Sequence, residues 1–315
     1  MFYPGARFTA IKNTITLTPK NNLVDGKYLY YLLTHVELPQ RGAGQPFISK
    51  GDIEAFRVLI PTDLNVQKQI VEKLDFAFDD LDLLERNLRI SQGKLDELFQ
   101  SLVSEAISTS SDIRMTPLKE LCTLFADGDW IETKDQSDDG IRLVQTGNVG
   151  SGFFKDRIEK ARWISEETFQ RLRCTEILEG DVLVSRLPDP VGRACLVPAL
   201  ENRAITAVDC TIIRFDPVQI KPRYFVYYTQ SSKYASAIGP LISGATRQRI
   251  SREKLGTIQV PVPNTDIQDK IVEKLDGFSS EITTLKEFAD FRRQSLNMLR
   301  QSLLSSLVNQ DSGAA

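Results

Sequence analysis

Ile70-Val-Glu-Lys-Leu-Asp75 returns unchanged as Ile271-Val-Glu-Lys-Leu-Asp276, 201 positions later. An identical hexapeptide at that distance marks an internal repeat, and the surrounding residues extend it. Leu98-Phe-Gln-Ser-Leu102 matches Leu299-Arg-Gln-Ser-Leu303 at the same offset. Upstream, Ile48-Ser49 matches Ile250-Ser251 and Pro61 matches Pro263, both at offset 202. Earlier still, Tyr28-Leu-Tyr-Tyr31 resembles Tyr224-Phe-Val-Tyr227, and Thr9-Ala10 resembles Thr206-Ala207.

Each repeat closes with the pattern of a long helix. Ile70, Leu74, Ala77, Leu81, Leu84, Leu88, Ser91, Leu95, Leu98 and Leu102 recur at alternating steps of four and three. That is the heptad seam of a coiled coil. Ile271, Leu275, Phe278, Ile282, Leu285, Ala289, Arg292, Leu296, Leu299 and Leu303 repeat it, with the polar residue at the same place. A helix of roughly 40 residues is about 60 Å long. Two such stripes in one chain satisfy each other by packing together; the alternative is that each helix caps only its own domain.

The stretch between the helices mixes strands and helices. Gly140–Gln145, Asp181–Ser185, Ala194–Val197 and Cys210–Phe215 read as short buried strands bounded by turn residues. Ser165 reads as a helix cap with acids behind it, and Pro222 as the first turn of another helix. Ile258-Gln-Val-Pro-Val-Pro263 is held extended by its prolines. The expected architecture is α+β: mixed α/β globular domains joined by two long helices packed as an antiparallel coiled coil. The expected bounds are 1–64 for the last part of an incomplete first globular domain and 65–110 for the first helix. A complete second domain follows at 111–264, then the second helix at 265–309 and a disordered tail at 310–315.

The 315-residue chain has a formal net charge of −3, so any binding of nucleic acid must use a local patch. The stretch 113–264 is mildly basic, with 21 Lys and Arg against 19 Asp and Glu. Its basic side chains concentrate at Arg247, Arg249, Arg252 and Lys254. Ser243-Gly-Ala-Thr-Arg-Gln-Arg249 places small residues before Thr246, Arg247, Gln248 and Arg249. Small residues admit a phosphate, and Arg and Gln donate to phosphates or base edges. The competing reading is a solvated surface loop. Arg142, Gln145, Asn148, Arg157, Lys160, Arg162 and Arg186 are further candidate readers. Gln145-Thr-Gly-Asn148 offers two amides of the type that pairs with adenine, or is merely a glycine turn with polar flanks. Trp130, Trp163 and Tyr224 read as core.

Several chemistries lack their residues. His35 is the only histidine, and it falls in the incomplete first unit, away from any candidate nucleophile. No P-loop sequence and no Asn-Pro-Pro-Tyr-like tetrapeptide occurs. Gly147–Gly152 does not fit a dinucleotide fingerprint. Cys122, Cys174, Cys195 and Cys210 form no C-x-x-C pair, which fits reduced thiols in a cytoplasm rather than a metal site. Glu132-Thr-Lys134 has the form of a nuclease fragment without its usual acidic partner upstream. No apolar run approaches the roughly 20 residues of a membrane span, and the first residues lack a signal-peptide core.

The order of three phrases, with the duplication, resembles the specificity subunits of type I restriction–modification systems. The phrases are Ile141-Arg-Leu-Val-Gln-Thr-Gly-Asn-Val149, Glu179-Gly-Asp-Val-Leu-Val-Ser-Arg186 and Gly244-Ala-Thr-Arg-Gln-Arg-Ile-Ser251. The last leads into Ile258–Pro263 and Gln268–Leu275, and Gly44–Ser49, Leu59-Ile-Pro61 and Gln67–Leu74 echo it in the first unit. The resemblance implies a non-catalytic subunit whose recognition domains each read half of a bipartite site in double-stranded DNA. It implies that the helices act as a ruler and dock two methyltransferase subunits and the restriction subunits. S-adenosylmethionine, ATP and magnesium would belong to those partners. A prokaryotic cytoplasm and a role in phage defence follow. The family pattern carries two complete recognition domains, and here the first lacks about 85 residues. A shortened gene, a recombining cassette completed elsewhere, and self-association of two copies through the coil are all open. Rival readings are a coiled-coil scaffold that no longer binds DNA, and a metal-dependent nuclease built on Glu132 and Lys134.

Overall fold

The computed structural model describes Tyr3 and residues 14–20, 23–42, 46–108 and 113–309. The Thr9-Ala10 match, Gly44 and the expected tail at 310–315 lie outside the described residues. The chain divides into two units, 1–93 with 284–315, and 94–283. Two 45-residue helices contribute to both.

The first unit holds α1 (Gly26–His35), α2 (Lys50–Ala55) and the beginning of α3 (Leu64–Ser108). Asp25 caps α1 by accepting from the Lys27 and Tyr28 N–H groups. Ser49 and Asp52 close a reciprocal capping box on α2, and Arg41 clamps the Asp52 carboxylate at 2.6–3.0 Å.

The second unit begins with the end of α3 and continues through β1 (Arg114–Pro117), β2 (Cys122–Asp127), β3 (Ile141–Val144) and β4 (Arg162–Ile164). Then come α4 (Glu166–Leu172), β5 (Glu176–Ile177), β6 (Val182–Ser185), β7 (Ala194–Leu196), β8 (Ala204–Thr206) and β9 (Cys210–Phe215). It closes with α5 (Pro222–Tyr228), α6 (Ser232–Ile238), α7 (Arg252–Gly256), β10 (Gln259–Val262) and the start of α8 (Thr265–Asn309). One sheet has the order β2-β9-β6-β7, a second β4-β3-β8-β5, and β1 pairs with β10 alone.

The first sheet is buried on both faces, and its alternation shows how. Val182 and Val184 of β6, with Ile213 and Phe215 of β9, face a core shared with α5, α6 and the two long helices. Leu183, Cys210 and Ile212 point the other way, into a core with Val144 and Ile177 of the second sheet. Side chains of period two thus serve two cores at once, which is why these strands read as unbroken apolar runs.

Each unit is fastened to its own long helix in the same way. Gln67 accepts from the Asp25 N–H at 2.7 Å and donates to the carbonyls of Leu23 and Pro61 at 3.1 and 2.7 Å. Gln268, 201 positions on, accepts from the Lys221 N–H at 2.8 Å and donates to Gln219 and Pro263 at 3.0 and 2.8 Å. Both amides are fully buried. Eight residues along each helix, about two turns, an aspartate gathers a tyrosine hydroxyl and a base. Asp75 takes Tyr31 and Lys27, and Asp276 takes Tyr227 and Arg223.

Within the first unit, α3 and α8 run antiparallel. Gln92 bonds Asp290 and Asp82 bonds Arg300, so numbers fall along one helix as they rise along the other. Ile70, Leu74 and Leu304 are buried together there. In the second unit, Val103, Ile107, Ile271 and Leu275 join the main core.

The heptad reading needs correcting along one edge of the seam. Leu84 and Leu98 on α3, and Leu285 and Leu299 on α8, stand about half exposed. Ser91 and Arg292 are exposed as well. The half-buried column is instead Phe78, Glu85, Gln92 and Phe99, matched on α8 by Lys286, Arg293 and Arg300. The helix keeps its natural 3.6-residue turn, and a strict seven-residue repeat slips about 20° per heptad against that. The inner face therefore moves one residue onward and takes in polar groups. Gln92 binds Arg293 at 2.5 Å, and Arg300 lies 5.3 Å over the Phe78 ring.

Removing either glutamine leaves one N–H and two carbonyls buried without partners. Gln67→Leu and Gln268→Leu are each expected to cost about 1–3 kcal/mol in urea unfolding. A change within error for both would show that the clamp is not a fastening.

Candidate nucleic-acid interface

The exposed Arg-Gln-Arg segment sits on a closed loop. Ser243 and Arg249 exchange backbone hydrogen bonds of 2.9 and 2.8 Å, leaving residues 244–248 between them. The loop closes because Gly244 has φ +105°, and a Cβ there would lie 2.3 Å from the Arg247 carbonyl oxygen. Thr246, Arg247, Gln248 and Arg249 are all exposed. Of these four, Arg247 has an acidic neighbour, the Asp209 carboxylate at 3.6 Å.

Beneath the loop lies Arg186. It was expected to read DNA, but it is buried and structural. Its backbone N–H donates to Asp209, its carbonyl accepts from Ile250, and its guanidinium donates to the Val208 carbonyl at 2.5 Å. Asp127 completes the arrangement, 3.4 Å from Arg186 and 3.7 Å from Arg252. Arg186 thus fixes the root of the loop rather than its tip.

A second arginine, missed in the sequence, fixes two more loops. Arg193 donates to the carbonyls of Val149, Thr146, Leu187 and Pro190 at 2.7–3.0 Å. It ties the turn after β3 to the loop 187–190. Burial pushes this guanidinium below its ordinary range. Its one sequence signal was its place between Gly192 and a buried strand, where a long cation needs carbonyl partners.

The remaining candidates divide. Arg142 is only 4% exposed, donates to Asp156 at 2.6 Å and lies over the Phe154 ring, so it is a packing residue. Asn148 is buried, accepts from the Gln145 N–H and donates to the Lys155 carbonyl. Both amide groups of that turn therefore shape it, since Gln145 and Asn148 cap it reciprocally. Arg157 is exposed and lies on the turn, its Nη1 2.8 Å from where a Gly147 Cβ would stand. Lys160 and Arg162 are exposed at the edge strand β4. Trp130 reverses its expectation: it is 70% exposed, and it follows Gly128 and Asp129, whose N–H groups donate to the carbonyls of Cys210 in β9 and Thr206 in β8. Trp163 is half-buried and Tyr224 fully buried. The geometry thus brings together Arg157, the 145–148 turn, the 187–190 loop and the Arg-Gln-Arg loop.

Glu132 and Lys134 pair with each other at 2.8 Å, both exposed. Among the described residues no cluster of three His, Cys, Asp or Glu could hold a metal ion, and no helix is long and apolar enough to cross a membrane. Burial pushes the thiols of Cys122 and Cys195 up to about 12, and those of Cys174 and Cys210 up to about 11.

Comparison with known proteins follows the same outline. A family model described as the type I restriction modification DNA specificity domain matches residues 1–91 and 110–289. The chain is 21% identical to the type I restriction enzyme MjaVIII specificity subunit of Methanocaldococcus jannaschii, over 93% of this chain and 72% of that one. It is 31% identical to the StySPI specificity subunit of Salmonella potsdam over 90 residues, 29% of this chain and 19% of the relative. Among solved structures, a chain from work on assembly and conformational transition of a type I R-M system superposes with a TM-score of 0.68. That match has 19% identity and covers 91% of this chain and 71% of the other. The HsdS subunit from Thermoanaerobacter tengcongensis gives a TM-score of 0.50 at 20% identity, covering 92% and 71%.

Two outcomes check this geometry. Arg193→Met is expected to destabilise the second unit by about 2–4 kcal/mol, because four carbonyls lose a charged donor. Retention of full stability in a thermal or urea melt would show that the arginine is dispensable. Raised pKa values keep the four thiols protonated at pH 8, so iodoacetamide should leave the native mass unchanged. The chain unfolded in urea should gain four adducts, one per cysteine.

Proposed function

The chain belongs to the type I restriction modification DNA specificity family, and on that premise we propose that the second unit reads one half of a bipartite DNA site through its loop cluster. The observation that carries the reading is the glycine-closed loop holding Arg247, Gln248 and Arg249 in solvent. Its roots are fixed by buried Arg186 and Ile250, so binding need not order them first. Arginine reaches the O6 and N7 of guanine or a phosphate, and glutamine reaches adenine. Arg157 on the neighbouring turn adds a phosphate contact. Trp130, exposed on the same unit, can cover a sugar or base face.

Catalysis lies with other chains in this reading. Two methyltransferase subunits dock on the long helices and hold S-adenosylmethionine. Restriction subunits bring ATP and magnesium. The chain supplies specificity and a scaffold, and works in the prokaryotic cytoplasm where its DNA lies. The half-exposed Leu84, Leu98, Leu285 and Leu299 suit such docking, being apolar and on the outer edge of the seam.

Binding of a labelled duplex carrying the target, measured with a methyltransferase partner across a salt series, tests the proposal. Arg247→Ala and Arg249→Ala should each weaken binding about fivefold to tenfold, and a phosphate-bound arginine should lower the salt slope by about one. Absence of any duplex preference at low salt would remove the reading.

A further inference from the structure

A short hairpin follows the 145–148 turn of the second unit. Val149 and Phe154 pair as an isolated bridge, and the Gly150 N–H donates to the Phe153 carbonyl at 2.9 Å. Residues 150–153 therefore form a tight turn with Phe153 as its last member. Phe154 packs on the core around Val144 and Leu183, whereas Phe153 beside it is 58% exposed.

The hairpin is held at its base, its tip and its return. At the base, Arg193 donates to the Val149 carbonyl at 2.7 Å. At the tip, the Gly152 N–H donates to the Ala194 carbonyl of β7 at 2.8 Å. Gly152 has φ +89°, and a Cβ there would lie 2.5 Å from the Gln230 amide, so only glycine lets the tip seat this closely. On the return, Lys155 and Asn148 exchange hydrogen bonds of 2.7 and 2.8 Å. Arg193 also holds the 145–148 turn and the 187–190 loop, which fixes Phe153 within the same loop cluster.

The ring stands among cations. The Lys155 ammonium lies 5.5 Å from its centroid, and exposed Arg157 follows on the same segment. Among the described residues neither forms an ion pair, while Asp156 between them is taken by Arg142 at 2.6 Å. An apolar ring beside uncommitted cations suits a polyanion that also offers an apolar group. Duplex DNA is one: phosphates line a major groove whose floor carries the 5-methyl group of thymine. Insertion between bases is a different mode and needs both faces of the ring. Here Lys155 lies over one face, and the ring rests on Gly150, where a Cβ would come within 3.0 Å of it. Contact with a methyl group needs only part of the ring.

We propose that Phe153 is a specificity-determining residue of the second unit, packing its ring on the 5-methyl group of one thymine in the major groove. The proposal rests on the reading of this unit as a DNA-binding one and adds to it a base contact without charge. Lys155 and Arg157 take flanking phosphates, while Arg247, Gln248 and Arg249 read other positions. The hairpin is already fixed, so little freedom is lost when the ring is covered. Taking one methyl group out of water is worth about fourfold in affinity. That gain is independent of salt, unlike contacts that release counterions from phosphates.

The test uses the full-length chain with a methyltransferase partner and duplexes carrying the motif methylated in its own cells. Each thymine of the motif is replaced in turn by deoxyuridine, which lacks only the methyl group. At one position the replacement should weaken binding about fourfold. Phe153→Ala should bind the thymine and uracil duplexes equally at that position, with an unchanged salt slope. Phe153→Leu keeps an apolar group and should restore part of the preference. No uracil duplex discriminated by the unaltered chain, or discrimination kept in full by Phe153→Ala, would overturn the proposal. If Arg247→Ala still weakens binding in that case, the DNA reading itself survives. Absence of any duplex preference in the unaltered chain would remove both. Sedimentation without DNA closes the remaining route: loss of the methyltransferase from Phe153→Ala would assign the ring to protein docking and overturn a base contact.

Discussion

A buried primary amide is the constraint on which both units hang. Gln67 and Gln268 each sit where a chain leaves its globular part and enters a 45-residue helix. The site holds one N–H and two carbonyls that have no regular secondary structure to satisfy them. Only a group with an acceptor and two donors meets all three, and an uncharged one does so without the cost of burying an ion. The amide binds the start of α1 or α5 and the segment just before the long helix at once. It therefore sets how each globular part is carried on its own helix. The Tyr–Asp–base group about two turns onward adds a second fastening on the same face.

The second unit applies the same economy to arginine. Arg142, Arg186 and Arg193 turn inward and satisfy carbonyls and a carboxylate, so their charges shape loops. Arg247 and Arg249 turn outward from a loop whose closure depends on a glycine. A rigid base with free tips suits recognition, since side-chain ordering is the main entropy left to lose on binding. Buried cations also keep neighbouring loops in one register, which lets separate chain segments present one surface.

Much of this was legible in the sequence because it rests on local rules. The identical hexapeptide gave the repeat, unbroken apolar runs gave β3, β6 and β9, and Ser165 and Pro222 gave helix starts. Gln67 and Gln268 also stood at the repeat offset, though their three-way bonding depends on segments more than 40 residues away. What could not be read depends on tertiary placement. An arginine in a sequence shows no direction, so Arg186 looked like a reader and is a loop anchor. Trp130 looked like core, yet it stands exposed two residues after Gly128 is bound to the β9 backbone. The helix seam erred for a geometric reason: a heptad template hides the slow slip of a straight helix, and Leu84 and Leu98 paid no penalty for standing at its margin.

The central claim is that recognition resides between the two long helices, in the loops of the second unit. The most direct measurement replaces residues 118–258 with the equivalent stretch of another specificity subunit, retaining both helices and their glutamines. Methylated positions are then mapped in DNA from cells carrying the chimera and a methyltransferase. The account predicts that one half of the modified motif changes to that of the donor while the other half stays. An unchanged motif in a chimera that still directs methylation would contradict it.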